Sequence, residues 1–300
     1  MNLFQSLKQM NNQLIYLLFL TAFCFSCQKR HNNKSTDFTK PDLFTSGIEG
    51  PATDNNGTLY AVNFNEEGTI GKIDSKGNAS LFIKLPNGSI GNGIRFDKYN
   101  NMYIADYVNH NILQIKNNEK IIRIYASDST MNQPNDLAIT PNGTLYASDP
   151  NWKKSTGNLW IAKNNKLKLL EANMGTTNGI EVSPDGKNLY VNESVQRNVW
   201  KYDILESGAI TNKTLFTSFK DFGLDGMRCD KEGNLYICRY NKGTVVVFSA
   251  SGKQVREIQL TGKKPTNITF GGKDDQQCYV TLADRGCVET FDAGIAGKSF

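Results

Sequence analysis

Histidine is nearly absent from this chain. It has two in 300 residues, His31 and His110, and only His110 lies beyond the polar N-terminal region. A solitary loop histidine is rarely a ligand or a base, so His110 enters only as a candidate substrate contact. Of the six cysteines, none of the four after residue 200 has the CxxC spacing of a zinc site. No glycine-rich phosphate loop and no nucleophile elbow occurs. Charge of one sign is also lacking. The formal net charge is +5, with Lys8 in the leader and Lys29, Arg30, Lys34 and Lys40 crowded into residues 28–40 against Asp37. The remainder is close to neutral, which argues against a nucleic-acid footprint. Long apolar runs are missing except for Leu14–Ser26, which is too short for a comfortable membrane span.

That run follows Lys8 and ends at Cys27, as a signal-peptide core would. Ser26 before Cys27 resembles a bacterial lipobox, although Cys24 and Phe25 are unusual there. Residues 1–27 are therefore expected to be a lipoprotein-type signal whose lipidated residue is Cys27; an ordinary secretory signal is the alternative. The expected location is the bacterial cell envelope, with a membrane anchor facing the periplasm or lying at the outer membrane. Residues 28–40 read as a flexible polar tether. Cys229, Cys238, Cys278 and Cys287 are expected to be small buried hydrophobes.

What is abundant is one short phrase. Its six copies open at Glu49-Gly50-Pro51, Asn92-Gly93-Ile94, Asn135-Asp136-Leu137, Asn178-Gly179-Ile180, Asp225-Gly226-Met227 and Asn267-Ile268-Thr269, at offsets of 43, 43, 43, 47 and 42 residues. Roughly ten residues later each reaches a tyrosine: Tyr60, Tyr103, Tyr146, Tyr190, Tyr236 and Tyr279. A period in this range with strand-like content marks a radial array of small sheets. The fourth copy gives the pattern: strand A from Asn178, a Pro184-Asp185-Gly186-Lys187 turn, strand B from Asn188, C from Asn198 and D from Lys213. The sixth copy lacks a D strand, and Asp42-Leu43-Phe44-Thr45 offers a spare one. The fold class predicted is all-β: a six-bladed β-propeller over residues 41–300, closed by its N-terminal strand. A monomer is expected, since nothing suggests a helical interface.

In a four-stranded meander the D-to-A connection and the B-to-C loop emerge on one face. The six opening residues thus ring one channel mouth, amid loops carrying Tyr107, His110, Asp149, Trp152, Arg239 and Tyr240. Aromatics beside convergent polar groups suit a small-molecule pocket. The ring offers only carboxylate and amide oxygens, which select Ca2+, Mg2+ or Mn2+ over softer metals. Against this, Asn and Asp at strand starts often just bond nearby backbone amides.

At these residues the chain resembles the gluconolactonase family, which includes regucalcin and diisopropylfluorophosphatase-like hydrolases. The resemblance rests on Glu49-Gly50-Pro51, Gln133-Pro134-Asn135-Asp136-Leu137, Thr177 through Gly186, Leu224-Asp225-Gly226-Met227, Asp149-Pro150 and Gly233-Asn234-Leu235-Tyr236, over residues 40–294. It implies a divalent cation at the channel mouth, Ca2+ first, with Zn2+, Mg2+ or Mn2+ as alternatives. It implies Glu49, Asn178 and Asp225 as ligands, and Asn135 as ligand or substrate contact. The implied chemistry is hydrolysis of a small lactone or ester, the cation polarising the carbonyl and Asp225, or secondarily Asp149, serving as base. Animal-type sugar lactonases have arginine where this chain has Gln133. Arg239 could supply a positive group instead, and Trp152 a pocket wall. Asn92 and Asn267 are not assigned by the resemblance and could be strand caps, with Asn92 kept as a candidate substrate contact. Two other readings compete: a non-catalytic ligand- or protein-binding propeller, and a phosphotriesterase on the same metal site.

Overall fold

Each copy of the phrase enters or immediately precedes the innermost strand of a four-stranded antiparallel sheet. These strands are Phe44–Thr53, Gly91–Phe96, Leu137–Ile139, Thr177–Val182, Gly223–Cys229 and Pro265–Gly271. The computed structural model describes residues 32–117 and 119–298. Residues 1–27, expected to be a signal segment ending at Cys27, and residues 28–31 of the expected tether lie outside the described residues. Within them every regular element is a strand, in six sheets of four.

Burial grades outward along each sheet. Thr177–Val182, innermost in the fourth blade, is buried at every position, whereas the outermost strand of the third, Lys166–Met174, faces water along much of its length. Six apolar clusters lie between successive blades rather than within them. Ile94, Ile104 and Leu113 meet Val62 and Ile70 between blades one and two, and Phe44, Ile48 and Val288 join blade one to blade six. All six repeat tyrosines sit in these clusters and are buried. Several also tie down the A–B turn. The Tyr60 hydroxyl donates to Asp54 at 3.2 Å, while the other Asp54 oxygen accepts the Asn56 and Thr58 backbone N–H groups at 2.9 Å. Asp97 with Tyr103 and Asp230 with Tyr236 repeat the arrangement. The tyrosine recurs because it fills an inter-blade core and holds a turn.

The second position of the phrase is a matter of space. A Cβ on Gly50 would stand 2.1 Å from the Asn92 carbonyl oxygen, and one on Gly226 1.9 Å from Asn267 Oδ1. At these two copies neighbouring innermost strands approach too closely for a Cβ. The opening residues are thus crowded into a ring with little access for water.

The ring closes through the N-terminus, but not through the expected residues. Thr36–Asp37 pairs with Cys287–Asp292, Thr36 opposite Thr290 and Asp37 opposite Glu289. Phe44 instead opens the long innermost strand of blade one, facing Phe64 at 5.4 Å between ring centroids. Residues 34–39, read as tether, are therefore part of the propeller edge. Backbone pairing, a bidentate Arg285–Asp37 ion pair (2.5 and 2.8 Å) and Phe38 against Tyr279 hold them. The four cysteines are buried and free, as expected.

Candidate active site

Glu49 and Asp225 come together at the mouth reached by the D-to-A connections and B–C loops. Both are buried, 7% and 9% exposed. Glu49 Oε2 accepts the Gly50 N–H at 2.7 Å and the Asn267 amide at 3.0 Å. Asp225 lies beside the Asn178 side chain and Glu49, which act on its carboxyl in opposite directions. Two carboxyls sharing one dry site resist ionising together. Burial first, then the Asp136 charge, pushes the Glu49 carboxyl up to about 7. Burial and Glu49 hold Asp225 well above the usual carboxylate range.

The amides complete the picture. Asn135 Oδ1 and Asn178 Oδ1 are buried and accept no hydrogen bond. A buried acceptor left unpaired costs about 1–3 kcal/mol, and the ring carries two of them beside two crowded carboxyls. A hard divalent cation would relieve both defects, so the donor set fits one. Among the described residues no group of three or more His, Cys, Asp or Glu side chains could hold a metal. A cation here would therefore depend on the amide oxygens.

The other two ring positions separate from these four. The Asn92 amide donates to the Asn135 carbonyl at 3.0 Å, beside the Gly93 N–H at 2.7 Å, so it staples blade two to blade three. Asn267 orients Glu49 while its own Oδ1 accepts from the Ile268 N–H at 2.9 Å.

Asp149, expected as a secondary base, is held by several donors, and burial raises its carboxyl. It is fully buried and accepts the Asn132 and Gln133 N–H groups at 2.7 Å and Trp160 Nε1 at 2.9 Å, with the Asn158 amide at 3.3 Å. It shapes the segment that delivers Asn135. Asp149→Asn is expected to destabilise the fold by about 2–3 kcal/mol, because an amide cannot accept from all these donors. Urea unfolding measures this; unchanged stability with turnover lost a hundredfold would assign the base role to Asp149.

Arg239 is likewise internal. It is 2% exposed, bonds Asp221 at 2.8 Å and lies 3.8 Å over the Phe219 ring. Its neighbour Tyr240 is the one near the ring carboxylates, its phenol raised by burial and by the Asp225 charge. The Gln133 side chain engages Tyr107. Trp152 is 37% exposed on its loop. His110 adopts a left-handed φ of 56°, and no hydrogen bond or ion pair joins it to the ring.

Beneath the ring the channel holds a charged layer that the phrase did not reveal. Arg95 pairs with Asp136 at 3.1 Å. Arg228 stands 3.5 Å from Asp136 and 3.9 Å from Glu181, and donates to Asn267 Oδ1 at 3.3 Å. Lys298, from the C-terminal tail, pairs with Glu181 and donates to the Val182 carbonyl at 2.7 Å. The available signal was parity: Arg95, Glu181 and Arg228 each stand three residues after a ring residue, inside an otherwise apolar strand.

Comparison with known proteins agrees with this architecture. The family model described as the SMP-30/Gluconolactonase/LRE-like region matches residues 47–284. A gluconolactonase of Zymomonas mobilis subsp. mobilis is 26% identical over 263 residues, covering 75% of this chain and 73% of that protein. Regucalcin of Xenopus laevis is 30% identical over 174 residues, 54% of this chain and 58% of the relative. The chain thus spans about three-quarters of the first and somewhat over half of the second. Among solved structures, a calcium-binding regucalcin from Agrobacterium tumefaciens superposes with a TM-score of 0.74 at 22% identity, covering 87% of this chain and 93% of the other.

Proposed function

The chain belongs to the SMP-30/gluconolactonase/LRE-like family, and from that premise we propose that it hydrolyses a small lactone, sugar lactones first, at the Glu49–Asp225 mouth. The observation that carries this is the buried carboxyl pair flanked by two unpartnered amide oxygens. Bound by Glu49, Asn135, Asn178 and Asp225, a divalent cation, Ca2+ first, would supply Lewis-acid polarisation of the lactone carbonyl and offset charge on the oxyanion.

The chain's own residues do the rest. Asn267 and Gly50 fix the Glu49 carboxyl, and Asn178 lies beside that of Asp225. In its ionised form Asp225 is the carboxylate at this mouth assigned to take a proton from the attacking water. Water oxygen bonds to the acyl carbon, the ring C–O bond breaks, and the proton passes to the departing alkoxide. Hydroxy acid is released. Tyr240 and Trp152 offer aromatic surface beside the mouth, and Gln133 leaves that side uncharged.

The test is a panel of sugar and aliphatic lactones offered to chelator-stripped protein, then with Ca2+, Mg2+, Mn2+ or Zn2+ restored. Turnover is expected to rise at least about a hundredfold with one of these ions, a size typical for removal of a main electrostatic contributor. Intact cation binding with no turnover on any lactone would overturn the reading in favour of a non-catalytic ligand-binding propeller.

A further inference from the structure

A cavity opens at the other mouth of the channel, away from the carboxyl pair. It has a volume of about 720 Å3, within the range of small-molecule pockets, and opens between the A–B turns. Its floor is the underside of the charged layer: Arg95, Arg228, Glu181 and Lys298. Lys98 and Lys273 stand on its walls.

Its electrostatics run opposite to those of the upper mouth. Five cationic side chains line it against three anionic ones. Of the anionic ones, Asp54 holds its own turn, and Glu181 is paired through Oε1 with Lys298 and the Val182 N–H, while its Oε2 accepts no hydrogen bond and stands 3.9 Å from Arg228 Nε. On the cationic side a donor is left over. Arg228 is 6% exposed as a residue, yet its Nη2 is buried without a hydrogen-bond partner, while Nη1 serves Met227 O and Asn267. An unpaired guanidinium N–H at the floor of a roomy, net positive cavity is what an oxyanion satisfies, because charge-assisted bonds to carboxylate or phosphate are the strong ones.

We propose that this lower mouth is a second ligand site, taking a small molecule through a carboxylate or phosphate group held by Arg228 Nη2 and the Lys298 ammonium. Lys98 and Lys273 draw the anion in from the rim. The site is separate from the carboxyl pair but not remote from it, since Arg228 touches Asn267 and Asn267 holds Glu49.

The probes are inorganic phosphate and acetate, titrated calorimetrically into the folded chain. Saturable binding of at least one is expected, and whichever binds identifies the class. Lys298→Met is expected to weaken it at least tenfold, as is the double variant Lys98→Glu, Lys273→Glu, which alters only turn residues and leaves the channel intact should Lys298→Met fail to fold. A tenfold loss in either supports the site. No saturable binding by the wild-type chain, or binding unchanged in every variant that folds, overturns it. The measurement involves no turnover, so it stands or falls apart from the lactone reading.

Discussion

Replacing Asp225 by asparagine is expected to abolish lactone turnover and, at the same time, to make the cation-free protein more stable. The two effects share one cause. Asp225 and Glu49 are buried together, and each raises the charge burden on the other's surroundings. Asparagine keeps the shape and removes a carboxyl whose charge burial and Glu49 disfavour, so folding no longer forces it to hold a proton that the unfolded chain releases. The expected gain is about 1–2 kcal/mol, seen as several degrees in the melting temperature without cation. Turnover should fall at least about a thousandfold, some 4 kcal/mol of transition-state stabilisation, since both a ligand charge and the base are lost. Added Ca2+ should then stabilise the variant much less than the wild type. A variant that loses activity and stability in parallel would mark Asp225 as structural. One that keeps its activity would remove it from the site.

The combination explains why some of this molecule was legible in sequence and some was not. Blade boundaries were readable because the repeat tyrosines and turn aspartates act within one or two blades, where spacing alone fixes the partner. The ring was readable because its members start equivalent strands. The closing strand was misplaced because Leu43-Phe44 carries a hydrophobic signal and Thr36-Asp37 carries none. The latter pair is held by backbone bonds and by Arg285, some 250 residues away in sequence. Which of the adjacent Arg239 and Tyr240 faces the ring could not be read from the sequence. The strand pairing shifts register between Leu224 and Met227, and that irregularity decides which of two adjacent side chains meets Asp225. The charged residues of the inner layer were visible in the strands, but their pairing was not, for another reason. Arg95, Asp136, Glu181 and Arg228 come from four different blades, and Lys298 from the tail, so their pairing exists only once the ring has closed.

Raising the pH from 5 to 8 should destabilise the cation-free protein, and a divalent cation should cancel the loss. Glu49 ionises near its ordinary 4.5 in the unfolded chain and is pushed up to about 7 in the fold. The folded state therefore holds a proton that the unfolded state has released. That stability is present in full below 4.5 and is lost as pH rises through 7. A difference of about 2.5 between the two values corresponds to about 3 kcal/mol. Asp225 shifts in the same direction and adds to the fall. Asp37, Asp128, Asp185 and Glu257 shift downward, and their contribution is lost only as pH drops below about 4, so they do not contaminate this window. Melting temperatures across pH 5–8 with chelator should thus descend in the wild type and descend less steeply in Glu49→Gln, which keeps the part of the fall that burial of Asp225 causes. With Ca2+ the wild-type curve should flatten, because the ion displaces the proton and binds more tightly as pH rises. An identical slope in wild type and Glu49→Gln would mean that the pair does not carry this proton. A slope that Ca2+ leaves untouched would separate the carboxyls from the cation, and with them the chemistry proposed for this mouth.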